Sequence, residues 1–163
     1  MPCVELDAIF HQPGWQLRPA AEFLAEVDRS TSGDGWVVDG NYRAVVREGP
    51  VWQRADTVVW LDLPKHLALR QVAWRSLRRA ATREELWNGN RERWRELLSL
   101  DPMRSMPAYV WTYYDRKRAQ VEAARADPAL AHLEFVHLRS HAESAAWLAT
   151  LRNGPSEGPA APS

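Results

Sequence analysis

Long apolar runs are missing from this sequence, and nowhere do the ~18 consecutive apolar residues needed to cross a bilayer occur. No charged-then-apolar leader is read at its start. Cysteine is nearly missing too: Cys3 stands alone. That excludes an internal disulfide and sets the expectation of a reducing, cytoplasmic setting. Net charge is absent, with 21 Lys and Arg against 21 Asp and Glu. The one G-x-S-x-G match, GPSEG at 154–158, lies in a tail with no apolar strand ahead of it and so makes no elbow, and Cys3 has no identifiable base partner, so neither nucleophile is supported.

What is present fits one domain of 163 residues with one core. The zero net charge is assembled from unequal parts. Residues 1–64 carry 5 basic against 10 acidic side chains, and residues 65–104 carry 10 against 5. Five arginines and no acid lie between Arg70 and Arg83. An excess of this kind points to an anionic partner, or to a solvated helix face. The nine tryptophans follow no fixed spacing, so they imply no repeat, and most are expected in core or rim packing.

Short apolar runs predict strands at CVELDAIF (3–10), GWVVDGNY (35–42), ADTVVWLDL (55–63) and LEFVHL (133–138). The second and third are nearly continuous and end in an acid, as in strands covered on both faces of a parallel sheet. Helices are predicted after Pro19, with Phe23, Leu24 and Val27 on one face, and after Pro64, where Leu69, Val72, Ala73, Ser76 and Leu77 form a stripe. A third helix runs from Pro107 to about Ala126. Thr82–Glu85 and Ser140–Glu143 match the capping-box pattern of helix starts, and Trp87-Asn-Gly-Asn90 reads as a turn. The domain is expected over 1–152, with a lid-like arginine-rich helical segment at about 70–106 and a disordered tail at 153–163. The alternation of strands and helices gives an α/β layered fold with a mainly parallel sheet.

Asp39 follows a buried strand directly, at the carboxyl end where ligands bind in open α/β sheets. There it can hold magnesium through water or cap the next turn. Gly40 lets the backbone turn closely, and Asn41 and Tyr42 then face the same crevice. Asp7 is placed similarly, and with Phe10 and Trp15 it can line a substrate pocket or sit beside a packed loop. Asp62 precedes Pro64 and reads as a helix-start residue. Several arginines on a helical flap suit phosphates, since guanidinium forks meet phosphate oxygens in pairs. His132, His137 and His141 have roughly metal-like spacing. However, 132 and 137 are an odd number apart along an extended stretch, so the pair reads as core or surface.

The succession LDAIFHQPGW, WVVDGNY, ADTVVWLDLP and an arginine helix leading to TREELWNGNRE resembles the bacterial P-loop kinase-like proteins grouped with adenylate kinase, often labelled DNA topology modulation proteins. The resemblance covers residues 3–151. It implies a P-loop NTPase, nucleoside-monophosphate-kinase-like three-layer fold that is missing its first, central strand. That strand normally leads into G-x-x-G-x-G-K-[ST] and a helix, about 25–30 residues in all. No window of this sequence fits that motif, and no Gly-Lys pair occurs.

The resemblance implies an ATP-dependent small-molecule or nucleotide kinase, recorded from too late a start or truncated, and inactive as written. It assigns Asp39 to magnesium through water, Asp7 to the substrate side, and Arg75, Arg78, Arg79 and Arg83 to a lid. The implied cofactors are Mg2+ and ATP, and the implied partners are a nucleotide and a small phosphoryl acceptor, with no membrane. The alternatives are a non-catalytic binding or scaffold remnant, or a nucleic-acid-binding protein using the arginine segment.

Overall fold

The structure is a computed structural model, described over residues 1–153. It is a mixed α/β fold in which helices cover short pairs of parallel strands. The expected strand at 3–10 splits. Only Cys3–Glu5 (β1) is extended, and Leu6–Phe10 forms a short helix, α1. The reason lies in the spacing: Leu6, Ile9 and Phe10 recur at i, i+3 and i+4, so one helical turn directs all three to the core, whereas a strand would split them between faces. Leu6 is completely buried. A two-residue ribbon follows, β2 (His11–Gln12) against β3 (Gln16–Leu17), around the Pro13-Gly14 turn.

The helix after Pro19 is α2, Ala20–Ser30. It buries Phe23 and Val27, while Leu24 stays exposed, so the packed stripe is narrower than expected. β4 (Val37–Asp39) pairs in parallel with β1. Two short helices, α3 (Arg43–Val46) and α4 (Pro50–Arg54), then supply Val45, Val46, Val51 and Trp52 to the core. β5 (Thr57–Leu61) pairs in parallel with β6 (Glu134–Leu138).

The helix after Pro64 is α5, Lys65–Thr82. It buries Ser76 and Ala80, while Ala73 and Leu77 are exposed, which rotates the packed face from the expected stripe. Thr82 is not a helix start. It is the last residue of α5, with its hydroxyl donated to the Arg78 carbonyl at 2.9 Å, and Arg83 ends the helix at φ 51°. The acids that would have closed the capping box are taken elsewhere, Glu84 by Arg78 and Glu85 by Arg91.

Trp87–Gly89 does form the expected turn, with Asn88 and Gly89 at positive φ. After a single turn, α6 (Trp94–Leu97), comes α7 (Met106–Arg125), which packs on α5 and is capped by the buried Ser105. The second capping box holds: Glu143 N–H donates to Ser140 Oγ at 3.1 Å at the start of α8 (His141–Asn153). Of the expected 153–163 tail, Asn153 ends α8 and the remainder lies outside the described residues. Of the tryptophans, Trp52 is buried, whereas Trp74, Trp94 and Trp111 are exposed.

β4 and β5 belong to different two-stranded sheets, and no ladder joins them. Strand residues between them are left open to solvent, with Val37 at 51%, Val59 at 39% and Leu61 at 63% exposure. No helix among the described residues is long and apolar enough to cross a membrane.

Candidate functional site

The first group of interest is built on α1. Asp7 and His11 are four residues apart and so share one side of this turn. Tyr42 reaches them from beyond β4. Its hydroxyl donates to Asp7 Oδ1 at 2.5 Å and lies 3.3 Å from His11 Nε2. Burial, reinforced by the Asp7 carboxylate, pushes the Tyr42 phenol well above its ordinary range, so it remains protonated. Burial also lowers the His11 pKa, against the raising pull of Asp7. The ring is therefore mainly neutral at pH 7, and its Nδ1 is buried without a partner. Phe10 packs on Tyr42 with ring centroids 4.7 Å apart, and Trp15 meets His11 edge-on at 5.3 Å.

The Trp87–Asn90 turn closes this pocket from outside. Asn88 Nδ2 donates to the Ala8 and His11 carbonyls, and Asn90 Nδ2 donates to the Gln12 carbonyl at 3.0 Å. In return Asn90 Oδ1 accepts from Trp15 N–H at 2.8 Å. Trp87 lies over His11 and donates its indole N–H to Glu5 at 2.8 Å. Only a turn with two consecutive positive φ values aims both asparagines inward, and the Asn-Gly pair provides it.

The second feature is a cavity of about 1080 Å³ lined by both β4 and β5. Asp39, Gly40 and Asn41 line it at the carboxyl end of β4. Gly40 has φ 134°, and a Cβ there would stand 2.8 Å from Leu6 Cβ, so no larger residue fits without displacing the core. The Asp39 carboxylate is exposed and makes no hydrogen bond or ion pair among the described residues.

The opposite wall carries Asp62, which is not the simple helix-start residue expected. Its side chain is only 7% exposed. Arg118 Nε donates to both of its oxygens at 3.1 and 3.0 Å, and His137 Nε2 lies 2.8 Å from Oδ2. Burial alone would raise the carboxyl pKa, but the hydrogen bonds from His137 and Arg118 outweigh it and hold it below the usual range. His137 is fixed in turn by Trp60, stacked at 4.0 Å. Tyr114 completes the wall, donating to the Leu63 carbonyl at 2.7 Å.

The expected site residues thus fall into three places. Asp7, Phe10, Trp15 and Tyr42 form one pocket, and Asp39, Gly40 and Asn41 line the cavity. Arg75, Arg78, Arg79 and Arg83 lie on the last turns of α5 and line no part of the cavity. Arg78 pairs with Glu84 at 2.9 Å, and Arg79 pairs with Glu84 and Glu92. The histidines serve separate contacts. His132 meets the Trp52 carbonyl, His137 meets Asp62, and His141 meets Gln71.

Sequence reasoning missed His11, Lys117 and Arg118, and it read Asp62 only as a helix-start residue and His137 only as a core or surface histidine. One signal was available. The apolar stripe Val110, Tyr114, Val121 of α7 continues through Lys117, and a cation within such a stripe marks a wall that faces a polar cavity.

The residues present do not make a complete place for Mg-ATP. Asp39 is a single carboxylate, no three metal-ligating side chains group together among the described residues, and the sequence holds no Gly-Lys phosphate loop. Comparison of the chain with protein-family models, with curated proteins and with solved structures returns no match.

Proposed function

We propose that this chain carries the acceptor pocket and lid of a P-loop kinase of the nucleoside-monophosphate-kinase type, ATP-dependent and acting on a nucleotide or other small molecule, and that it transfers no phosphate as written. The observation that carries this reading is the open cavity between β4 and β5, with Asp39 and Asn41 at the carboxyl end of one bordering strand. Ligands of open α/β folds bind at such ends. The order of the elements, strand pair, arginine helix and docked Trp87–Asn90 turn, supports it. In this reading the Asp7–Tyr42 pair accepts and orients a hydroxyl of the acceptor, and neutral His11 with the Trp15 and Trp87 rings excludes water.

A non-catalytic binding role is the second reading, favoured by the acids that already neutralise Arg78 and Arg79. The same pairing weakens the case for nucleic-acid binding.

Calorimetry and an ADP-release assay test the proposal. Removing three charge-assisted hydrogen bonds to phosphate costs about 4–9 kcal/mol, while micromolar affinity is about 8 kcal/mol in all. Residues 1–163 should therefore bind Mg-ATP no better than about millimolar. Joining a strand, a G-x-x-G-x-G-K-[ST] loop and a helix ahead of Met1 should bring binding into the micromolar range and produce ADP. In that extended chain Asp39→Asn should lower turnover more than ATP affinity. Micromolar Mg-ATP binding by the short chain, or an inert extended chain, would refute the proposal.

A further inference from the structure

We infer that the loop between α6 and α7 is a membrane-contact tip: Leu98, Leu100 and Met103 enter the acyl boundary of a bilayer leaflet, and neighbouring arginines meet its anionic headgroups. The inference goes beyond the phosphotransferase reading, and none of the tip residues lines the cavity between β4 and β5.

Leu98, Leu100 and Met103 are 78%, 92% and 82% exposed. Trp94, one helical turn before Leu98 and on the same side, is 49% exposed. The loop is nevertheless held in shape by its own polar groups. Leu98 N–H donates to the Trp94 carbonyl at 3.1 Å, and Ser105 N–H to the Asp101 carbonyl at 3.0 Å. Asp101 N–H donates to Ser99 Oγ at 3.1 Å, and Met103 N–H to Asp101 Oδ1 at 2.9 Å. The hydroxyl of the buried Ser105 donates to the Leu97 carbonyl at 3.3 Å. The backbone is thus bonded within the loop while the largest aliphatic side chains point to solvent. Entry into a water-poor interface requires both.

Charge selects the kind of surface. Among the cations of residues 65–104, Lys65, Arg78, Arg79, Arg91 and Arg104 are held in ion pairs. Arg70, Arg75, Arg83, Arg93 and Arg95 make no ion pair or side-chain hydrogen bond among the described residues. Of the acids in the same stretch, Glu84, Glu85, Glu92 and Asp101 are taken, and Glu96 alone has no basic partner among the described residues. α6 packs on α5, so the tip adjoins the helix that carries Arg70 and Arg75. Each arginine brought near an anionic leaflet strengthens attachment about five-fold. An aliphatic tip with tryptophan and arginine at its border is the composition of segments that lie in a membrane interface.

Other occupants fit less of this surface. A two-fold pair of chains would bring the patch against itself and set the unpaired arginines face to face. Single-stranded nucleic acid would use the arginines and Trp94, but it stacks on rings and would leave three aliphatic side chains in water. The expectation of no membrane came with the kinase resemblance, whose motifs end at Glu92, ahead of this loop.

The test is flotation of the full chain with vesicles of phosphatidylcholine containing about 40% phosphatidylglycerol, at about 0.1 M salt. Half of the chain should be bound below about 1 mM lipid. Vesicles of phosphatidylcholine alone, or about 0.5 M salt, should weaken attachment at least about ten-fold. Leu98→Ser combined with Leu100→Ser should weaken it at least about ten-fold with the melt unchanged, since both positions are exposed. Arg93→Gln combined with Arg95→Gln should weaken it about twenty-fold on the anionic vesicles. Lipids brominated in their acyl chains should quench tryptophan emission of the native chain, and quench it less in Trp94→Phe. No flotation at about 5 mM anionic lipid, equal attachment to both kinds of vesicle, or flotation unaffected by the double serine change would each overturn the inference. So would a dimer abolished by that change, or a single-stranded oligonucleotide that displaces the vesicles from native and double serine chains alike. The test involves no nucleotide triphosphate, so its failure leaves the phosphotransferase proposal standing, and the reverse.

Discussion

His137 Nε2 lies 2.8 Å from Asp62 Oδ2, and this contact ties the carboxyl-terminal ends of β5 and β6 together beside the open cavity. Both side chains are at least nine-tenths buried, and His137 depends on Asp62 for its polar contact while Asp62 is also held by Arg118. Asp62→Asn removes the charge that His137 and Arg118 share, and should cost about 2–3 kcal/mol at neutral pH, discounted for the half-exposed Arg118. The folded-state pKa of Asp62 lies below its ordinary 3.8. Its contribution is therefore complete above that value and is lost as pH falls through the lower, folded one. Urea unfolding of both proteins at about pH 7 and about pH 3 checks this, with the gap between them narrowing in acid.

The Asp7–Tyr42 bond gives a second expectation. Tyr42→Phe keeps the aromatic packing on Phe10 and Phe23 and deletes the hydroxyl, so about 1 kcal/mol should be lost, since Asp7 is partly open to water. In an Asp7→Asn background the same change should cost less, as a double-mutant cycle would show.

His11 sets a distinct pH response. Burial lowers its folded pKa below 6.5, so the unfolded chain takes up a proton first as pH falls. The stability tied to neutral His11 is full above that value and declines as pH drops through the folded one. Melting temperatures between about pH 5 and about pH 7.5 should show this step in the native chain and lose it in His11→Asn.

Gly40 and Gly14 both have positive φ, but only Gly40 meets a neighbour. Gly40→Ala should destabilise by about 2–3 kcal/mol through strain and contact with Leu6, and Gly14→Ala by about 1 kcal/mol through strain alone. Denaturant midpoints at constant slope give the comparison directly.

Elements carried by local pattern were legible in the sequence. The nearly continuous apolar run of β5, the shorter run of β6, the Ser140 cap and the Asn-Gly turn all follow from neighbours within a few residues. Where two patterns overlapped, the wrong one was read: Leu6, Ile9 and Phe10 sit inside an apolar run but pack as a helix turn. Thr82 matched a cap motif whose acids are drawn away by Arg78 and Arg91. The Asp62 cluster was invisible because its partners lie 56 and 75 residues away, beyond the reach of any spacing rule. The acid–aromatic pocket was half legible. Asp7, Phe10, Trp15 and Tyr42 were named, but the asparagines that clamp it meet it only through tertiary packing.

The open edge of β5 is the central claim, and residue-resolved amide exchange on the full chain tests it most directly. The N–H groups of Val58, Trp60 and Asp62 should be protected by β6, while those of Thr57, Val59 and Leu61 should exchange at least about a hundred-fold faster, as donors without a ladder partner. Uniform protection along Thr57–Leu61 would mean that a second strand already covers this edge, and would contradict the account.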